Sequence, residues 1–182
     1  MTRFCYKLIP TFIGVTLVLG LFAIPAPAQD TKEYINNELK FSTKFPANWQ
    51  SASKETKTDG TALIFSGPQG TDEYFTTINI QLIHRQPETT VKSQAQDFAK
   101  QLTTVPKYKI LSVVEGDLSG QKAVRIVAIY QMPGGEEIFK QDQLIVERGK
   151  YFYWIGYTAP ENLFEKYKGI MEQAIGSFQF LP

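Results

Sequence analysis

Cysteine occurs once, at Cys5, and histidine once, at His84, in a chain of 182 residues. Cys5 lies ahead of an apolar leader, so the chain without that leader can form no disulfide, hold no zinc–thiolate or iron–sulfur centre and offer no thiol nucleophile. A single histidine with no Gly-x-Ser-x-Gly elbow leaves a Ser-His-Asp hydrolase without support. Neither sign of charge dominates: 19 Lys and Arg face 18 Asp and Glu, a formal net charge of +1. That balance argues against a surface built to coat nucleic acid or an anionic membrane. Long apolar runs are missing beyond the leader, so no later segment is expected to span a bilayer.

The leader itself is well marked. Arg3 and Lys7 precede an apolar stretch from Thr11 to Ile24, and Ala26-Pro27-Ala28 follows with the small-x-small pattern of signal-peptidase sites. Residues 1–28 are read as a secretory signal peptide cleaved before Gln29, and 29–182 as one domain. Pro10, Pro25 and Pro27 confine the apolar run below the ~20 residues a spanning helix needs. A lipidated cysteine would stand at the cleavage point, whereas Cys5 precedes the run. Losing Arg3 and Lys7 takes the 19 basic residues to 17 against 18 acidic, a net charge of −1 for the exported part. The expected location is an exported compartment.

Hydrophobic periodicity then sets out the elements. Asn36-Asn37 has the chemistry of a tight turn ahead of the alternating stretch Leu39 to Phe45, which Pro46 ends. Asp59-Gly60 introduces a strand from Thr61 to Ser66. In the strand Tyr74 to His84, Ile78, Ile80 and Leu82 share one face and Thr77, Asn79 and Gln81 the other. From Thr90, a suitable N-cap, the period changes: Val91, Ala95, Phe98 and Leu102 fall on one side of a helix that Pro106 stops. Four strands follow, Tyr108 to Leu118, Lys122 to Met132, Ile138 to Glu147 and Tyr151 to Thr158, joined by turns short enough for an antiparallel meander. Ala123 to Tyr130 is apolar on both parities apart from Arg125, the pattern of a central strand covered on both sides. Pro160 to Ile175 carries a broad apolar stripe and reads as a second helix. The expected fold is α+β: an α–β–α sandwich with a central, mainly antiparallel sheet of about six or seven strands and two main helices.

Candidate chemistry is sparse. His84 shares parity with Ile78, Ile80 and Leu82 and reads as structural or as a sheet-edge residue. Asp72-Glu73, Asp117, Glu136-Glu137 and Asp142 lack calcium-loop spacing, and no His-Glu-x-x-His occurs. No cofactor is required; calcium or zinc are the ions that carboxylates gathered in space would take, and no motif supports either. Gly67-Pro68-Gln69-Gly70 and Pro133-Gly134-Gly135 read as turns rather than phosphate cradles. Tyr151 to Trp154 reads as a strand between two layers, with Tyr151, Tyr153, Ile155 and Tyr157 on one face and Phe152 and Trp154 on the other.

Three stretches, taken in order, resemble the PsbP-like family, whose fold is shared by an extrinsic subunit of the photosystem II oxygen-evolving complex and by bacterial relatives. They are Leu39 to Trp49, with its strand and Pro-x-x-Trp; Leu118-Ser119-Gly120-Gln121-Lys122-Ala123, a glycine hairpin; and Tyr157-Thr158-Ala159-Pro160 through Ser177-Phe178. The similarity spans nearly all of 34–180. The resemblance implies the same sandwich and a non-enzymatic role: docking on, assembling or stabilising a membrane protein complex from the lumenal or periplasmic side, most concretely photosystem II. The alternative is a periplasmic module for a small molecule, lipid or metal ion. No ligand motif can be carried over from the family. The expected docking residues are Asp72 and Glu73 in the Gly67–Glu73 loop and Glu136 and Glu137 in the Pro133–Glu137 loop, because binding residues favour loops held on a rigid scaffold; both loops can also be read as ordinary solvated turns. No nucleic-acid partner is expected, and the chain is expected to be a monomer.

Overall fold

The computed structural model describes residues 30–55, 61–132 and 134–182, so the signal peptide with its cleavage site, Asp59-Gly60 and Pro133 lie outside the described residues. Among the described residues ten strands and two α-helices run in the order β1 (Thr31–Asn36), β2 (Phe41–Pro46), β3 (Gln50–Glu55), β4 (Thr61–Ser66), β5 (Thr77–His84), α1 (Val91–Gln101), β6 (Lys109–Leu118), β7 (Gln121–Gln131), β8 (Ile138–Arg148), β9 (Tyr151–Pro160), α2 (Glu161–Gly176) and β10 (Gln179–Phe180). Every strand pair is antiparallel, in a seven-stranded sheet β3-β4-β5-β9-β8-β7-β6 and a three-stranded sheet β1-β2-β10.

Local chemistry sets the joints. Leu118 pairs with Gln121, leaving Ser119 and Gly120 as a two-residue turn with φ of 50° and 76°, the primed geometry that matches strand twist. At the start of α1 the Thr90 hydroxyl accepts from the Ser93 amide at 3.1 Å, and the Ser93 hydroxyl accepts from the Thr90 amide at 2.9 Å. This is a reciprocal capping box with serine in the place usually held by Glu or Gln.

The layers follow from which faces are apolar. On one side of the large sheet, α2 and the small sheet bury Phe41, Phe45, Ile78, Ile80, Tyr157, Phe164 and Met171 in one cluster. Phe45 stacks on Phe65 with ring centroids 3.9 Å apart, and Phe41 on Phe178 at 5.2 Å, so aromatic rings bind the small sheet to the core. On the other side Val91, Ala95 and Phe98 of α1 pack on Val124, Ile126, Ile145 and Phe152, with Trp154 edge-on to Phe98 at 4.9 Å. Trp154 and Phe152 therefore lie on the α1 side, and Tyr153, Ile155 and Tyr157 on the side of α2 and the small sheet, as alternation along β9 predicts.

Covering is incomplete by geometry. Seven strands at ~4.8 Å spacing place the outer strands ~29 Å apart, and one helix is ~10 Å across. Alone on its face, α1 covers β7, β8 and part of β9, which leaves Thr77, Asn79 and Gln81 of β5 partly open beyond it. Those polar side chains occupy the wetter face expected of that strand.

The structure adjusts several expectations. The strand 121–131, expected to be central and covered on both sides, stands one in from the edge, with β9 at the centre; α1 packs over its Val124 and Ile126, while on the other face Ala123 joins the core and Arg125, Val127 and Ile129 are half-buried. Tyr74 and Phe75 belong to a short 3₁₀ turn, Asp72–Phe75, and β5 begins only at Thr77. The strand at Gln50–Glu55, too polar to signal itself by hydrophobic alternation, forms the far edge.

One polar device spans the core and α2. The Arg125 guanidinium donates Nε to Asp142 Oδ1 at 2.8 Å and Nη2 to Asp142 Oδ2 at 2.6 Å, and Nη2 also donates to Glu172 Oε1 at 2.8 Å. Asp142 is 1% exposed, so this bidentate pair compensates a carboxylate that water cannot reach. The Asp142 carboxylate, then the Glu172 one, hold Arg125 above its ordinary value against the opposing cost of burial. The Asp142→Ala variant is expected to lose on the order of 3 kcal/mol, and Glu172→Ala, at the exposed arm of the same arginine, under about 1 kcal/mol. Urea unfolding of both variants checks this; equal losses would contradict it.

Candidate functional site

The sheet register brings both acidic loops to one end of the molecule. Thr77 pairs with Thr158 and Phe139 with Pro160, so the loop before β5 and the β7–β8 hairpin both emerge where α2 begins. Within that end the four carboxylates differ in kind. Asp72 accepts from Lys166 Nζ through Oδ2 and from the Tyr167 hydroxyl through Oδ1, both at 2.5 Å, tying the loop to α2. Those hydrogen bonds, the Lys166 one foremost, hold its carboxyl below the ordinary value. Glu73 accepts from Trp49 Nε1 at 2.6 Å and so satisfies the only polar atom of a buried indole side chain. Its backbone leaves no room for a Cβ at Gly67: one placed there would lie 2.6 Å from the Glu73 carbonyl carbon and oxygen. Glu136 and Glu137 are exposed on the hairpin. Directly after Asp72 and Glu73 the same turn adds apolar surface, with Phe75 59% and Tyr74 42% exposed.

Among the described residues no metal centre is assembled. His84 is exposed at the end of β5 with its ring against Tyr151 at 5.6 Å, and no group of three or more His, Cys, Asp and Glu could hold a metal. Among the described residues no helix is long and apolar enough to cross a membrane.

The most unusual surface is strand β6. Every residue from Lys109 to Asp117 is exposed, including Val114 at 59%, Val113 at 54%, Leu111 at 46% and Ile110 at 37%. Among the described residues it is the outermost strand and pairs only with β7, so its outer backbone N–H and C=O groups have no strand partner there. The pairing shifts between Ile110 and Ser112, and Leu111 is the extra residue of a β-bulge. Lys92 on α1 reaches Glu115 at 2.9 Å, an exposed contact that leaves the apolar positions free. On the α2 side a cleft of about 160 Å³ lies beside the strand, bordered by Val114, Gly116, Ala123, Leu144 and Ile175. Lys109 pairs with Ile129 and Gln131 with Ile138, so the start of β6 and the β7–β8 hairpin bearing Glu136 and Glu137 share one end. An exposed edge, a side-chain cleft and acidic groups at one end make up the parts of a surface that accepts an extended chain.

Sequence reasoning did not single out β6. The pairs Ile110-Leu111 and Val113-Val114 place apolar groups on both faces, and the same pattern in 123–130 marks a strand covered twice. Only the sheet order separates the two cases.

Comparisons with known proteins agree with this architecture. A family model described as PsbP-like protein matches residues 25–180. Among solved structures, cyanobacterial PsbP (CyanoP) from Synechocystis sp. PCC 6803 superposes with a TM-score of 0.66 at 11% identity, over 92% of this chain and 98% of that one. PA94 from Pseudomonas aeruginosa, described as a putative regulator of unknown function, gives 0.60 at 16% identity over 84% and 96%. LpqN of Mycobacterium tuberculosis, described as involved in cell envelope biogenesis, gives 0.58 at 10% identity over 86% and 88%. At these identities the likeness is one of fold. A comparison with curated protein sequences finds no match.

Two outcomes are expected at the acidic end. Because the folded-state pKa of Asp72 lies below its ordinary 3.8, its contribution to stability is present above that pH and is lost as the pH falls below it. Asp72→Asn should therefore narrow the stability difference between pH 5 and pH 3 seen in urea unfolding, and an unchanged difference would show that Asp72 is not held by Lys166 and Tyr167. Gly67→Ala should cost about 1–3 kcal/mol through overpacking against Glu73 and lower the Trp49 fluorescence anisotropy or shift its emission, because Glu73 anchors that indole.

Proposed function

The chain belongs to the PsbP-like protein family, and on that premise we propose that it is a non-enzymatic exported accessory protein that binds a membrane protein complex from the lumenal or periplasmic side, with photosystem II as the partner. The observation that carries this reading is β6, a ten-residue edge strand whose apolar side chains are exposed on both faces. Soluble proteins blunt such edges because they template pairing with another chain; here Lys109, Glu115, Asp117 and the bulge at Leu111 limit the pairing without abolishing it. A segment of the partner adds as an eighth strand, its backbone meeting the outer groups of β6 and a side chain entering the cleft beside Val114. Main-chain hydrogen bonds supply affinity in this mode and the pocket supplies specificity.

The carboxylates share the work unequally in this reading. Glu136 and Glu137 contact the partner directly where the added strand leaves the sheet. Asp72 and Glu73 act through position: bound to α2 and to Trp49, they hold the exposed Tyr74 and Phe75 on the same end of the molecule. The likeness to cyanobacterial PsbP supports the choice of photosystem II over other membrane complexes.

The test is recovery of photosystem II core subunits from detergent-solubilised thylakoid membranes by the immobilised protein. Val113→Lys together with Val114→Lys, both at exposed positions, should leave the circular dichroism spectrum and unfolding midpoint near those of the wild type and reduce recovery about tenfold or more. Glu136→Gln with Glu137→Gln should reduce it less. Equal recovery by the lysine variant would remove β6 from the interface, and no recovery by the wild type would remove photosystem II as the partner.

A further inference from the structure

The end of the molecule opposite the acidic loops contains a cavity of about 520 Å³, within the ~300–1,000 Å³ range of small-molecule sites. It lies between the β1–β2 turn, the β8–β9 turn and the chain after β10. Its cations are Lys40, Arg148 and Lys150, and Leu82, Tyr151 and Tyr153 form apolar walls. A second hollow of about 400 Å³ continues past Gly149 and Lys150 to His84 and Arg85.

Arg148 is the fixed member. Its guanidinium stacks on Phe180 at 4.5 Å from the ring centroid, and Nη2 donates to the Leu181 carbonyl at 2.8 Å while Nη1 reaches the Lys40 carbonyl at 3.5 Å. The other arginines among the described residues pair with carboxylates, Arg85 with Glu147 and Arg125 with Asp142 and Glu172. Among those residues Arg148 alone is held by carbonyls and an aromatic ring, which orient the group and leave its charge uncompensated. Lys40 and Lys150 likewise form no ion pair among the described residues. Lys40 sits at φ 57°, a left-handed conformation that a side chain other than glycine or asparagine adopts at a cost, and the Leu181 amide donates to its carbonyl at 2.9 Å. The side-chain carboxylate bordering the cavity is that of Glu38, against three cations, so the balance is positive.

We infer that this cavity is a binding site for a phosphate group, with Arg148 as the preorganised donor and Lys40 and Lys150 as flexible ammonium groups that close on its oxygens. A phosphate monoester carries about two negative charges and three acceptor oxygens, a closer match than one carboxylate to an arginine fork and two lysines. The cavity exceeds the size of the phosphate itself, and Leu82 and Tyr151 accept an apolar substituent beside it. A soluble phosphate ester and a lipid phosphate headgroup present the same chemistry.

Calorimetric titration of the purified protein with inorganic phosphate and phenyl phosphate, and sedimentation with phosphatidylcholine vesicles with and without phosphatidylglycerol, tests this. Binding of phenyl phosphate more tightly than phosphate assigns a soluble ester; binding only to phosphatidylglycerol vesicles assigns a headgroup. In either case Lys40→Gln with Lys150→Gln, both exposed and outside the core, should weaken binding on the order of tenfold or more, and Arg148→Gln should weaken it further where a thermal scan shows that variant folded. The matched surface pair Lys92→Gln with Lys109→Gln should bind as the wild type does. The inference is overturned if the wild type binds none of the probes, if the Lys40/Lys150 variant binds as the wild type does, or if the matched pair loses as much.

Discussion

A seven-stranded sheet is wider than the material that covers it, and the rest of this molecule is arranged around that mismatch. One face is closed by α2 together with the small β1-β2-β10 sheet; the other has α1 alone. At ~29 Å between outer strands and ~10 Å per helix, the single helix cannot close its side. Two consequences follow. Where β5 passes beyond α1 its face is Thr, Asn and Gln, residues that water can serve. Where β6 passes beyond both covers its residues are Ile, Leu and Val, which water serves poorly. The first is a solution to the mismatch and the second an unmet demand, and the reading of the protein as a docking module rests on that contrast.

The polar interactions divide between holding the layers and facing outward. Arg125, Asp142 and Glu172 fasten α2 to the buried side of the sheet. Asp72 fastens the loop before β5 to the same helix, and Glu73 completes Trp49. At the opposite end Arg148 clamps the chain after β10 to the turn before β2 through two carbonyls while retaining its own charge. The domain thus presents carboxylates where α2 begins and uncompensated cations where β8 turns into β9, although its overall charge is close to neutral.

Much of the scaffold was legible because its signals are local. Thr90 and the four, three and four spacing of Val91, Ala95, Phe98 and Leu102 fix α1. Alternation along Thr77–His84 and Tyr151–Thr158 assigns faces that the two core clusters reproduce. The stretch Leu39 to Trp49, on which the family resemblance partly rests, forms β2 and the buried Trp49. The edge strand Gln50–Glu55 was not legible, since a strand with little to bury has no period. Nor was the placement of strand 121–131 one from the edge, because apolar residues on both parities read as a central strand even where one face is only partly covered. The sites were less accessible still. Asp72 and Glu73 stood out as loop carboxylates, and only tertiary packing supplies Lys166, Tyr167 and Trp49 as their partners. Lys40, Arg148 and Lys150 come from two turns more than a hundred residues apart, and no spacing rule joins them.

Pairing of β6 with a partner strand is read directly by amide hydrogen exchange. Exchange is measured along Lys109–Leu118 in the free protein and in its mixture with purified photosystem II. Pairing predicts that amides along this strand which exchange readily in the free protein become strongly protected in the complex, while those already bonded to β7 change little. A bound state in which β6 exchanges as it does in the free protein, with protection appearing elsewhere, would contradict that pairing.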